Sequence, residues 1–300
     1  MAGEKVSFFD AIDANKRNSL LLVFFLSLIF LGMVLAFSYI FRLGVCGPAI
    51  GFAALLFYAA IAFYSGDSVV LALSGARKAE EKDYPFLYNV AEGLAIASGI
   101  PMPKLYVIDD PSPNAFATGR DPQHASLAVT TGLLQMLNRQ ELEGVIAHET
   151  SHIANYDIRF MTLAIVFVGA IALLSDIAWR SMRFGFLGGG RGRRGGELGV
   201  IFLIVAVALM ILAPISAELI RFAISRQREY LADANGAKLT RYPEGLASAL
   251  EKITSAGIPV QRASDATAPL YIASPFPNKM SFLFSTHPDP KDRIARLRAM

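Results

Sequence analysis

The chain has 300 residues, 54% of them hydrophobic and only 18% charged, with a net charge of +3. Soluble domains carry about 45–50% apolar and about 25% charged residues, so this balance excludes an ordinary soluble enzyme, a disordered chain and a coiled coil, and points to a membrane protein with polar sequence left for one sizeable domain. A single cysteine, Cys46, excludes a disulfide scaffold and a cysteine-based metal site, and the small charge and missing motifs exclude nucleic acid as a partner.

Ser19–Ile40 runs 22 residues without a charge, and Val45–Tyr64 runs 20 more, with Arg42 marking the turn between them. A bilayer core takes about 20 apolar residues in a helix, and backbone in lipid must bond to itself, so both read as membrane helices. A signal peptide is the alternative for the first. Its apolar run is longer than the roughly 7–15 residues such peptides carry, and no A-x-A site follows it. Next, Tyr84–Ser98 has helical spacing, with Phe86, Val90, Leu94 and Ala97 on one face. Ile100-Pro101-Met102-Pro103 ends it. Leu105–Ile108 reads as a strand, Asp109–Gln123 as turns, and Ala125–Thr130 as a second strand. From Leu133 to Arg159 the pattern is helical and runs straight into a third apolar segment, Phe160–Trp179. Arg180–Glu197, with seven glycines and five arginines, reads as a loop before a fourth segment, Leu198–Ala217. A buried helical hairpin is the alternative for these last two segments; their length and missing charges favour lipid.

The expected division is therefore 1–66, an N-terminal segment with two membrane helices; 67–159, the first half of a polar domain; 160–217, a hydrophobic hairpin; and 218–300, the second half. With the N-terminus in the cytosol, ten basic residues flank the membrane ends inside and six outside. This puts the polar domain on the cytoplasmic side, although the arginine-rich loop 180–197 dissents.

His148-Glu149-Thr150-Ser151-His152 is H-E-x-x-H within the predicted helix. Four residues advance a helix by about 6 Å and carry it just past one turn, so both imidazoles leave the same face and can share one zinc. A bound zinc lowers the pKa of a coordinated water toward about 7. Glu149, off that line, is placed to take the water's proton and pass it to a leaving amine. Polar residues on both sides of the motif put the zinc at the membrane surface rather than inside a span. Asn155 and Ile158 exclude the metzincin spacing for a third ligand. Downstream, Glu229 and Asp233 share one helix face. One can bind zinc while the other accepts a hydrogen bond from a histidine ligand; a solvated face salted by Arg226 and Arg228 is the alternative. Asp157 either supports the site or caps the next helix. His124 reads as a surface histidine.

Asn114-Ala115-Phe116-Ala117-Thr118-Gly119, the H-E-x-x-H motif, the Arg-Glu-Tyr-x-Ala-Asp core of Ser225–Asp233, and Thr286-His287-Pro288 occur in this order. Together they resemble the HtpX family of membrane zinc metalloproteases, relatives of the CAAX prenyl protease and the mitochondrial Oma-type proteases. The resemblance covers nearly the whole chain. It implies a mainly α, multi-pass membrane protein of four hydrophobic helices carrying an α+β gluzincin-type protease domain. It implies one zinc held by His148, His152 and Glu229, with Asp233 supporting the site. It further implies an inner-membrane endopeptidase acting on misfolded or damaged membrane proteins under stress. His287, which the resemblance places near the zinc, can donate to the oxyanion or be a surface histidine at a turn. Asn114, Ala115 and Phe116 can hold substrate as an added strand or belong to an ordinary loop. Two rivals from other classes remain. A scaffold with a structural zinc has no use for Glu149, and a metal transporter needs ionisable residues within several spans, where only Asp176 qualifies. A prenyl-peptide processing protease is the rival within the same chemistry.

Overall fold

The computed structural model describes residues 13, 16–21, 24, 46–167, 226–264, 267–276 and 288–300. Most of the first apolar segment, residues 168–179 of the third, the loop 180–197, the whole fourth segment and His287 lie outside the described residues.

The second apolar segment is helical: α1 spans Cys46–Leu73. Phe52, Leu56, Phe57, Ile61 and Tyr64 stand exposed on it, whereas Ala62, Val70 and Leu71 are buried. The side chains at positions 47, 48, 50, 51, 54, 55 and 59 of α1 are not among those described. Counting described residues alone, no helix is long and apolar enough to cross a membrane.

A four-stranded sheet follows, with β1 (Ala76–Lys78), β2 (Lys104–Ile108), β3 (Ala115–Gly119) and β4 (Ala125–Thr130) in the order β1-β2-β4-β3. β2 and β4 are parallel, and the two outer strands are antiparallel to their neighbours. Strand β3 lies inside the stretch expected to be turns. It is a short Ala-Phe-Ala-Thr-Gly run whose five residues are all buried, so it lacks the in–out alternation that marks a half-exposed strand.

Helix α2 (Pro85–Ser98) opens with proline in its first turn and ends on Gly99 at φ 71, a left-handed cap that glycine adopts without strain. Its buried face is Leu87, Val90, Ala91, Leu94 and Ala95. Phe86 is 40% exposed and Ala97 is exposed, so the face expected from spacing is rotated by about one position.

The long helix expected from Leu133 onward is three pieces. α3 (Thr131–Met136) stops at Leu137, whose backbone is extended. α4 (Arg139–Ala154) then starts on a reciprocal cap, in which Asn138 and Glu141 each accept from the other's backbone N–H. It ends at Asn155–Tyr156, and α5 resumes over 157–167. Tyr156 has φ 61, which a non-glycine residue takes only at a cost of about 1 kcal/mol or more. Helices α6 (Arg226–Thr240), α7 (Pro243–Ala256) and α8 (Pro290–Arg298) follow.

The sheet separates two apolar clusters. Leu105, Val107, Ala115, Ala117, Leu127 and Val129 face α2, α4 and α7. Ile108, Phe116 and Ala128 face α1 and the buried residues Phe160, Leu163 and Ala164 of α5. The first turns of the third apolar segment are therefore buried by protein.

Candidate metal centre

Helix α4 is buried along its length from Gly144 to Ile153. Small residues let its neighbours approach. A Cβ on Gly144 would lie 2.6 Å from the Leu246 nitrogen of α7, and one on Gly236 would lie 3.1 Å from the His148 nitrogen. Gly144, His148 and His152 follow one another at four-residue steps. Glu229, Asp233 and Gly236 recur at four and three on α6, so each set shares a face. Backbone contact at Gly236 therefore lays Glu229 and Asp233 directly against the two histidines.

His148, His152 and Glu229 each offer one ligand atom, and these atoms all lie within 4.8 Å of one another. The two Nε2 atoms are 3.2 Å apart. His148 Nε2 is 3.7 Å from Glu229 Oε2, and His152 Nε2 is 3.6 Å from Glu229 Oε1. Ligand atoms at about 2.0–2.2 Å from a tetrahedral zinc lie about 3.3–3.5 Å from each other, so the trio has the spacing the ion requires. The far side of each imidazole meets a carboxylate. His148 Nδ1 is 2.9 Å from Asp233 Oδ1, and His152 Nδ1 is 2.8 Å from Asp157 Oδ2. A carboxylate at Nδ1 draws the ring proton there and turns the Nε2 lone pair toward the shared point.

Asp157 reaches His152 only because α4 breaks. Five residues along an unbroken helix would place it about 140° around from His152. The left-handed Tyr156 folds the chain back instead. Spacing alone allows Asp157 either role, because the break is not visible in the periodicity.

Arg293 was missed altogether. It is 1% exposed, with Nε 2.9 Å and Nη2 2.7 Å from the two oxygens of Asp233. Its Nη1 lies 3.5 Å from Glu229 Oε2, and it donates to the Ile272 carbonyl at 3.1 Å. The available signal was position: Arg293 lies one turn before the buried Leu297 on α8, so it shares a helix face with an apolar anchor.

The two histidines meet opposite electrostatic surroundings. Burial by itself lowers His152, but Asp157, Glu229 and Glu149 outweigh it and push the group up to about 9. Burial holds His148 below its ordinary value despite Asp233. Asp233 is held down at about 2: burial raises it, and Arg293 and His148 more than reverse that. Glu149, 2% exposed, is raised to about 7, chiefly by burial and also by the charge of Glu229. His152, the Ala117 backbone N–H that donates to it, and Arg293 pull the other way. Such a carboxyl can exchange a proton near neutral pH.

Asn114, Ala115 and Phe116 sit at the start of β3, on the sheet edge beside α4. Asn114 Nδ2 donates to the Ala273 carbonyl at 3.1 Å, and Ala115 accepts from Ile272. Phe116 packs edge-on against Tyr271. His124 is 49% exposed in its side chain and pairs with Asp121, as a surface histidine does.

The family model described as peptidase family M48 matches residues 81–300. A protein named protease HtpX homolog from Dictyoglomus thermophilum is 51% identical over 297 residues, covering 98% of this chain and 95% of that protein. One of the same name from Tropheryma whipplei is 45% identical over 296 residues, covering 96% and 97%. A crystal structure of S. mikatae Ste24p superimposes with a TM-score of 0.42 at 19% identity over 92% of this chain and 67% of that one, a likeness too distant to argue from. With most of its length matched by the family model and near-complete relatives at this identity, the chain belongs to peptidase family M48, among proteases of the HtpX group, and is a metalloprotease.

Proposed function

We propose that this metalloprotease is a membrane-bound zinc endopeptidase of the inner membrane. Its catalytic domain faces the cytoplasm, and it cleaves misfolded or damaged membrane proteins in stress-related quality control. The observation that carries the zinc assignment is the convergence of His148, His152 and Glu229, with a carboxylate behind each imidazole. In this reading Asp233 and Asp157 orient the histidines, and Arg293 neutralises Asp233 and Glu229. When bound, the ion supplies Lewis acidity, making a water nucleophilic at neutral pH and polarising the scissile carbonyl. Glu149 takes the proton of the attacking water and returns it to the departing amine. Its burial supports both transfers by keeping the carboxyl near neutrality.

Two features support the membrane placement. Helix α1 leaves Phe52, Leu56, Phe57 and Ile61 exposed. Where it nears the domain, rings and basic side chains gather: Arg120 lies over Tyr64, Arg159 over Phe63 and Tyr156, and Lys16 over Tyr156. Aromatic and basic residues collect where a membrane meets water.

The test is cleavage of an unfolded membrane protein in detergent with zinc. Glu149→Gln is expected to keep fold and zinc and to lose at least about 10²-fold in rate; turnover at a tenth of wild type would remove Glu149 as the base. Glu229→Ala is expected to lose zinc, and full occupancy in that variant would remove Glu229 from the site.

A further inference from the structure

Strand β3 has an inner and an outer edge. The Asn114 carbonyl accepts from the Thr130 N–H of the neighbouring β4 segment. In the alternating antiparallel pattern Phe116 and Thr118 therefore also bond β4, and the main chain of Ala115, Ala117 and Gly119 points outward. That outer edge is where an extended peptide would add as a strand.

The chain itself engages both ends of this edge. At one end the Ala115 carbonyl accepts from the Ile272 N–H at 3.0 Å. At the other the Gly119 N–H donates to Thr162 Oγ1 at 3.1 Å, and the Thr162 and Thr118 hydroxyls lie 2.8 Å apart. Neither end is a loose flap. Leu270, Tyr271, Ile272 and Ala273 are all buried. The Ile272 carbonyl is held by the same Arg293 that pairs with Asp233. Thr162 is wedged against α1, where a Cβ on Gly66 would lie 2.9 Å from its methyl. Between the two ends only Ala117 of β3 remains, its main chain facing the same outer edge. From Ala115 to Gly119 is four residue steps, about 13 Å.

We propose that Ile272 and Thr162 are the end walls of a short peptide slot, so that substrates are recognised over only the few residues flanking the scissile bond. The substrate class that fits is any unfolded segment able to enter as a short extended stretch, rather than a long specific sequence laid along the sheet. This deepens the proteolytic reading and rests on it. Asn114 and Ala115 then act through the wall they hold, and Ala117 is the residue of β3 that meets substrate.

The experiment uses the zinc-loaded full chain in detergent and peptides lengthened one residue at a time on either side of a fixed scissile bond. Each residue that paired with an open edge would raise kcat/KM by about fivefold. The wild type is expected to stop gaining once about two residues flank the bond on each side. Thr162→Val and Asn114→Ala, which loosen one wall each, are expected to extend that dependence on one side only. Hydrogen exchange is expected to show the Gly119 amide released in the first variant and the Ile272 amide in the second. A wild-type rate that keeps climbing with length overturns the slot and leaves the protease reading standing. A length profile unmoved in variants whose amides are released overturns it too. Absence of any metal-dependent cleavage sinks the protease reading, and the slot with it. If a variant fails to fold, the wild-type profile alone decides.

Discussion

At the scale of single residues, two buried carboxylates divide the work of holding the histidines, and their surroundings differ. Asp233 is tied to Arg293 through both oxygens, whereas Asp157 is backed by Arg228 at 3.8 Å. Asp157→Ala is expected to keep the fold and to weaken zinc binding by about 10–100-fold, the usual consequence of removing the carboxylate behind a histidine ligand. A competition titration against a chromophoric chelator measures it, and unchanged affinity would reduce Asp157 to a helix-start residue. Arg293→Met asks a different question. It removes the guanidinium that Asp233 holds through both oxygens, so a loss of about 3–5 kcal/mol is expected from denaturant unfolding. Both histidines and Glu149 were legible in the sequence because a helix places i and i+4 on one face whatever the rest of the chain does. Glu229 and Asp233 shared a face for the same reason, but spacing could not say which of them lies nearer the two Nε2 atoms. Arg293 was not legible, because an arginine near the C-terminus is ordinarily solvated.

At the scale of elements, α4 is positioned by its cap and by its close approaches. Glu141 accepts from the Asn138 backbone, from Ser248 at 2.7 Å and from Lys252 at 2.8 Å, which ties the start of α4 to α7. Burial alone would raise its pKa; the bonds from Lys252, Asn138 and Ser248 hold it below the ordinary value instead. A depressed carboxyl contributes stability that is fully present above the unfolded value of about 4.3 and is lost as pH falls through the lower folded value. Glu141→Gln is therefore expected to cost about 1 kcal/mol at neutral pH. The gap to wild type should shrink to nothing in acid unfolding series, and a gap independent of pH would refute the charged role. Gly144→Ala puts a methyl against the α7 backbone and is expected to cost about 1–3 kcal/mol, read as a lowered denaturant midpoint. The helix break at Asn155–Tyr156 belongs to this scale too. Nothing in the local pattern calls for it, yet without it Asp157 would face away from His152.

At the scale of the whole molecule, the sheet carries the candidate metal centre on one side and an apolar layer of α1 and α5 on the other. Helix α1 and the start of the third apolar segment thus pack against the sheet through a shared core that includes Phe116 and Tyr271, 5.3 Å apart. The proposed cytoplasmic orientation can be checked with Cys46→Ser and single cysteines labelled by a membrane-impermeant maleimide. A cysteine at Asp83, which is exposed, is expected to react only after lysis, and labelling of intact cells there would reverse the orientation. A cysteine at Gly190 is expected to react in intact cells. If it too needs lysis, the third and fourth segments do not both cross, and the zinc chemistry is untouched.

Periodicity and spacing carried a definite part of this protein's description. The sequence specified the helix that presents His148, Glu149 and His152, the face shared by Glu229 and Asp233, the strands Leu105–Ile108 and Ala125–Thr130, and an apolar content too high for an ordinary soluble enzyme. The helical faces follow from the 3.6-residue turn, the strands from short apolar runs bounded by turn residues, and the last from composition alone. Tertiary structure alone decided the rest. β3 is a strand because neighbours bury both its faces, not because its residues alternate. α4 ends where a strained Tyr156 is compensated by packing and by the Asp157–His152 contact. Arg293, more than fifty residues from Asp233 along the chain, meets it because α8 docks where a buried pair of carboxylates needs a counter-charge. A contact between distant segments leaves no period in either of them, and only the packed core brings their charges together.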